Sequence, residues 1–102
     1  MQTVKYSMNV VYSKSGQMIF FSQLDIMHVL ERALRRAGLP LYYTQGYKPH
    51  IKMSFKGALK LGVTGEEEVK FYFTRRVSAS ELSSLLVPQL PQGLGILRIT
   101  DV

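Results

Sequence analysis

The chain has 102 residues, 46% of them hydrophobic, which fits one small domain with a core of its own and excludes a disordered chain. It has no cysteine, which excludes disulfides, thiolate nucleophiles and Cys-ligated zinc or iron–sulfur clusters in this chain. Thirteen Lys and Arg against seven Asp and Glu leave a net charge of +6, which fits two readings: simple solubility, and an anionic partner such as RNA.

No apolar run approaches the roughly 20 residues that span a bilayer, so we expect no membrane contact. The opening "MQTVKYSMNVVYSKSG" is polar and alternating, unlike a signal peptide, and the expected location is the cytoplasm.

Residues 3 to 12 alternate as a strand, with Val4, Tyr6, Met8, Val10 and Tyr12 on one face and Lys5, Ser7 and Asn9 on the other. "SKSG" (13–16) supplies a turn, and "MIFF" (18–21) either extends the strand pair or leads into a helix. Ser22 then suits an N-cap, with Asp25 placed to complete a capping box. Met27, Leu30, Leu34 and Ala37 recur at helical spacing, widened by Ile26 and Ala33, and Gly38 and Pro40 stop the helix. A bend follows, and 50–55 alternates again, with Ile51, Met53 and Phe55 inward and His50, Lys52 and Ser54 outward.

"KGALKLGVTGEEE" (56–68) reads as a connection whose three glutamates mark a solvated turn. Residues 69–74 form a strand with Val69, Phe71 and Phe73 inward and Lys70, Tyr72 and Thr74 outward. Ser78 caps a short helix over 78–86 that "PQLPQG" breaks. The closing strand places Leu97 and Ile99 inward against Arg98 and Thr100.

The order is β-α-β-β-α-β over a single domain, residues 1–102. It implies an α+β, ferredoxin-like antiparallel sheet with two helices on one face. The other face must meet water or a partner. The alternation puts Lys5, Ser7, Asn9, His50, Lys52, Ser54, Lys70, Tyr72, Thr74 and Arg98 there, with no acid. Lysines bind phosphates and an exposed tyrosine can stack a base, although Lys and Thr also serve strands for solubility alone.

A second basic array lies on the first helix, where His28, Arg32 and Arg35 or Arg36 share a flank at spacings of three or four. The bend "YYTQGYKPH" links the two arrays. Gly46 and Pro49 stiffen it, and it would hold Tyr43, Gln45, Tyr47, Lys48 and His50 at a sheet edge near the arginines, as one anion-receptive surface. The architectural alternative has Tyr47 packing back on the core.

The segments Phe21-Ser22-Gln23-Leu24-Asp25, Glu31 to Pro40, Tyr43 to His50 and Leu61 to Val63 follow one another in an order and spacing that resembles the radical-SAM-linked proteins, an uncharacterised domain family. Members are fused to, or encoded beside, a radical S-adenosylmethionine iron–sulfur protein, and some stand beside ribonuclease E/G-type proteins. The resemblance implies a noncatalytic accessory domain that presents RNA, such as tRNA or rRNA, to a modifying enzyme. The cluster and S-adenosylmethionine are then expected only in the partner, with no cofactor in this chain. The chain departs from the family pattern at Gln23, where relatives carry His, and at Phe71, where they tend to an acid. It is also shorter than the family domain, which fits a minimal or half-length form, paired with itself or with a partner.

Only His28 and His50 titrate near neutrality. A small RNA endonuclease acting through His50 and a protein-docking module without RNA contact are the competing readings. A metal site from His28, His50 and Glu66 to Glu68 has no recognised ligand spacing, and no Gly-Lys-Ser/Thr phosphate loop is present.

Overall fold

The computed structural model describes residues 5–56 and 65–101. Val4 and the stretch 57–64 of the expected connection, with the Leu61 to Val63 segment, lie outside the described residues. Strand β1 spans Tyr6–Lys14, helix α1 Gln23–Ala37, β2 Met53–Lys56, β3 Gly65–Phe73, α2 Ala79–Leu86 and β4 Leu94–Asp101. Short 3-10 turns occupy Gly16–Phe20 and Val87–Gln89, so "MIFF" leads into the helix. The sheet order is β2-β3-β1-β4, and every neighbouring pair is antiparallel. This is the expected α+β, ferredoxin-like arrangement.

The core follows from strand alternation. Met8, Val10 and Tyr12 of β1 lie opposite Phe71, Val69 and Glu67 of β3. On this inner face both helices pack, through Ile26, Leu30, Ala33 and Leu34 of α1 and Leu82 and Leu86 of α2, all buried. Each such side chain taken from water contributes roughly 1.5–3 kcal/mol before entropy is charged against it.

Helix α1 begins and ends where its sequence signals stand. The Ser22 side chain accepts from the Asp25 N–H (3.1 Å), while the Ser22 N–H donates to the Asp25 carboxylate (3.1 Å). Gly38 closes the helix in the left-handed region (φ 73°), which a Cβ would disfavour. Ser78 caps α2 by accepting from the Glu81 N–H at 3.0 Å.

Three expectations change. First, Glu66 to Glu68 are not in a turn, because β3 begins at Gly65 and carries them inside the strand. Glu67 therefore faces inward and accepts from the Tyr12 hydroxyl. Burial first, and then that carboxylate, push the Tyr12 pKa far up, so the phenol stays a neutral donor. Second, Lys14 belongs to β1 and not to the turn. It is only 3% exposed, and its Nζ donates to the Phe21 carbonyl at 3.3 Å.

Third, β4 is bulged. Ile99 lies opposite Val10 and Arg98 opposite Val11, but Ile96 lies opposite Tyr12. The extra residue, Leu97, is 46% exposed, and Ile96 packs on the core in its place. One inserted residue shifts every side chain beyond it to the other face, which strict alternation cannot anticipate.

Candidate nucleic-acid interface

The bend after α1 is built into the sheet. The Tyr42 N–H donates to the Tyr72 carbonyl (3.1 Å), and the Tyr42 carbonyl accepts from Lys52 (2.9 Å). Leu41 bridges to Phe73 and Tyr43 to Ile51. The chain then turns between Thr44 and His50, closed by the Thr44 N–H to the His50 carbonyl (2.8 Å) and by the His50 N–H to the Thr44 hydroxyl (3.2 Å). Gly46 holds φ 138° within that turn.

This insertion places a second aromatic ring on the open face. Lys5 Nζ lies 5.7 Å from the ring centroids of both Tyr42 and Tyr72. Lys52 Nζ stands 5.1 Å from the Tyr72 centroid. The Ser54 and Tyr72 hydroxyls share a hydrogen bond of 3.2 Å. Lys70 is registered against Asn9 on one side and Ser54 on the other. Two tyrosines and three lysines thus gather at one end of the open face. The ammonium groups are attracted to the ring faces, which holds the rings and the cations in one small area.

The other end of that face carries acid, contrary to the expectation of none. Glu66 and Glu68 point outward from β3, at 3.6 Å from Arg98 and 3.9 Å from Lys56 respectively. Arg98 thus has a carboxylate of the chain itself beside it, in an exposed pair. Along β3, Glu68 stands roughly 13 Å from Tyr72, since a strand rises about 3.3 Å per residue. The face is polarised into a basic aromatic end and a balanced end.

The bend residues project outward. Tyr47 is 96% exposed at the tip, so it does not pack back on the core. Gln45, Lys48 and His50 are exposed, and Tyr43 is exposed beside its bridge to Ile51. The His50 ring nitrogen Nδ1 donates to the Lys48 carbonyl at 3.0 Å, since a carbonyl only accepts.

The helix array does not join this group. α1 covers the inner sheet face, whereas Lys70 and Tyr72 lie on the opposite side of β3 from Phe71 and Phe73. Arg32 and Arg36 line a groove with Leu90 and Pro91, and His28 is exposed one turn before Arg32. The single anion-receptive surface expected from the sequence is therefore two surfaces on opposite layers, because alternation along β3 separates what packs under the helices from what does not.

Tyr42 was not among the expected site residues. Its signal is the alternation Leu39, Leu41, Tyr43 against Pro40, Tyr42, Thr44, visible only if the stretch is taken as part of the sheet. Among the described residues no three of His, Asp and Glu gather as metal ligands, and no helix is long and apolar enough to cross a membrane.

The chain matches, over residues 7–102, a family described as uncharacterised protein conserved in bacteria, DUF2344. No curated protein and no solved structure matches it.

Proposed function

The chain belongs to that family of uncharacterised bacterial proteins, and from this footing we propose that it is a noncatalytic, cytoplasmic accessory domain that binds RNA through the basic aromatic end of its open sheet face. The observation that carries the reading is the placement of Lys5 and Lys52 around the Tyr42 and Tyr72 rings. Both rings are half-buried, and a base stacked on the ring area left open gains up to roughly 1–3 kcal/mol, whatever its identity. Lysine ammonium groups alongside neutralise the phosphates that flank it. Tyr47, Lys48 and His50, on the projecting bend, extend the same end of the molecule toward a bound strand, whereas Tyr43, paired with the buried Ile51, belongs by alternation to the opposite face.

The resemblance of Phe21 to Asp25 and of Tyr43 to His50 to the radical-SAM-linked proteins supports a finer form of the proposal. The partner enzyme would be a radical-SAM protein that holds the iron–sulfur cluster and S-adenosylmethionine, and this domain would present tRNA or rRNA to it.

The test is anisotropy of labelled single-stranded RNA and tRNA titrated with the chain across salt concentrations. Log affinity should fall linearly with log salt, with a slope of about −0.7 for each phosphate neutralised on a single strand. Lys52→Gln and Lys5→Gln should each make the slope shallower. No affinity for either RNA at low salt ends the RNA reading.

A further inference from the structure

The groove on the helical layer has a different chemistry from the sheet face. Met18, Phe21, Leu90 and Pro91 supply apolar walls, Arg32 and Arg36 line it one helical turn apart, and it encloses about 510 Å³. A second hollow of about 490 Å³ shares Met18 and Phe21 and runs on past Gly16 to Gly93. The two hollows meet at these shared side chains and are together called the trough. Phe20 (66% exposed), next in sequence to Phe21, and Leu24 (57% exposed), in the first turn of α1, present apolar surface to water.

Among the described residues no carboxylate forms an ion pair with Arg32 or Arg36. The chain has few to spare. Of its seven acids, Asp25 is held in the helix cap, Glu66, Glu68 and Glu81 pair with Arg98, Lys56 and Arg75, and Glu67 accepts from Tyr12. A second copy of this chain, at net charge +6, is therefore a poor occupant. An RNA strand is less favoured, because Met18, Leu90 and Pro91 offer no aromatic ring for a base and Phe21 is packed partly against the core. We infer that the trough between α1 and the 87–93 segment docks an acidic segment of a partner protein, with carboxylates on Arg32 and Arg36 and one apolar side chain over Met18 and Phe21. This surface lies on the layer opposite Tyr72, and the inference does not depend on RNA binding.

The test is an amide-shift titration of the isotope-labelled full chain with short synthetic peptides of Asp, Glu and Gly carrying one central Leu, Ile, Phe or Trp. Neutral analogues with Asn and Gln and an oligouridine are run in parallel. At least one acidic peptide should shift Met18, Phe21 and Leu90 amides while leaving Tyr72 unmoved. In the Arg32→Ala, Arg36→Ala double variant its affinity should fall by about tenfold or more, because charge-assisted hydrogen bonds are lost. The variant's amide dispersion and urea midpoint should stay those of the parent, which reports that it is folded. Shifts with none of the acidic peptides, equal binding of the neutral analogues, or oligouridine displacing a peptide from the trough would each overturn the inference. RNA binding that persists at Tyr72 in those cases leaves the sheet-face reading standing.

Discussion

Tyr72 is the residue on which the open face turns. Lys5 and Lys52 approach its ring and Ser54 its hydroxyl, so ring and hydroxyl have separable roles. Tyr72→Ala should weaken RNA binding by roughly 1–3 kcal/mol, the value of one base stacked on an aromatic ring. Tyr72→Phe keeps the ring and should bind nearly as the parent does. Equal losses in the two variants, by anisotropy at fixed salt, would assign the effect to the hydroxyl and sink the stacking role. On the inner face the corresponding residue is Tyr12, whose hydroxyl donates to the inward Glu67. Tyr12→Phe withdraws that hydrogen bond from a buried carboxylate and should cost about 1–3 kcal/mol in urea unfolding.

Among the elements, α1 has the clearest local specification. Ser22 and Asp25 satisfy each other's backbone donors, and removing the hydroxyl in Ser22→Ala should cost about 0.5–2 kcal/mol, read as a lower urea midpoint at unchanged m-value. The Ser22 side chain, and then its backbone N–H, hold the Asp25 carboxyl below its usual range. A lowered folded-state pKa means a contribution present in full above the unfolded value of about 3.9 and lost as pH falls through the folded value. Asp25→Asn should flatten the fall in stability across that acid window; an unchanged pH profile would refute it. Strand β4 shows the opposite case, where pairing overrides local pattern. Leu97→Thr, at the bulge, should stay within about 0.5 kcal/mol of the parent. Phe71→Ala, in the buried centre of β3, should cost about 3–5 kcal/mol. Comparable costs for the two would place Leu97 in the core and contradict the bulge.

For the whole molecule, the layered fold sorts its charge. The sheet's outer face has a cationic aromatic end and an end where Glu66 and Glu68 meet Arg98 and Lys56, while the helical layer carries Arg32 and Arg36. Formal net charge is therefore a poor guide to where an anion binds. Lys70→Gln should make the salt slope of RNA binding shallower, as at Lys5 and Lys52, whereas Arg98→Gln should leave it unchanged, since that guanidinium already faces Glu66. An equal drop in slope for Arg98→Gln would show that the counterion-releasing surface spans the entire sheet.

Much of the fold was legible because its signals are local. Period-two alternation over β1 and β3, the Ser22 and Ser78 caps, and the Gly38 stop each act within a turn or a strand, and together they specify element order and which face is buried. The cationic character of Lys52, Lys70 and Tyr72's surroundings was legible for the same reason. What only the tertiary structure decided depends on partners distant in the chain. Tyr42 joins the site because it bonds to Tyr72 across the sheet; Leu97 leaves the core because β4 slips one residue against β1; Glu66 and Glu68 reach Arg98 and Lys56 because β3 begins earlier than its apolar run. Most of all, the separation of Arg32 and Arg36 from Lys70 and Tyr72 follows from a sheet lying between them, and a barrier of that kind has no trace in the spacing of residues along the chain.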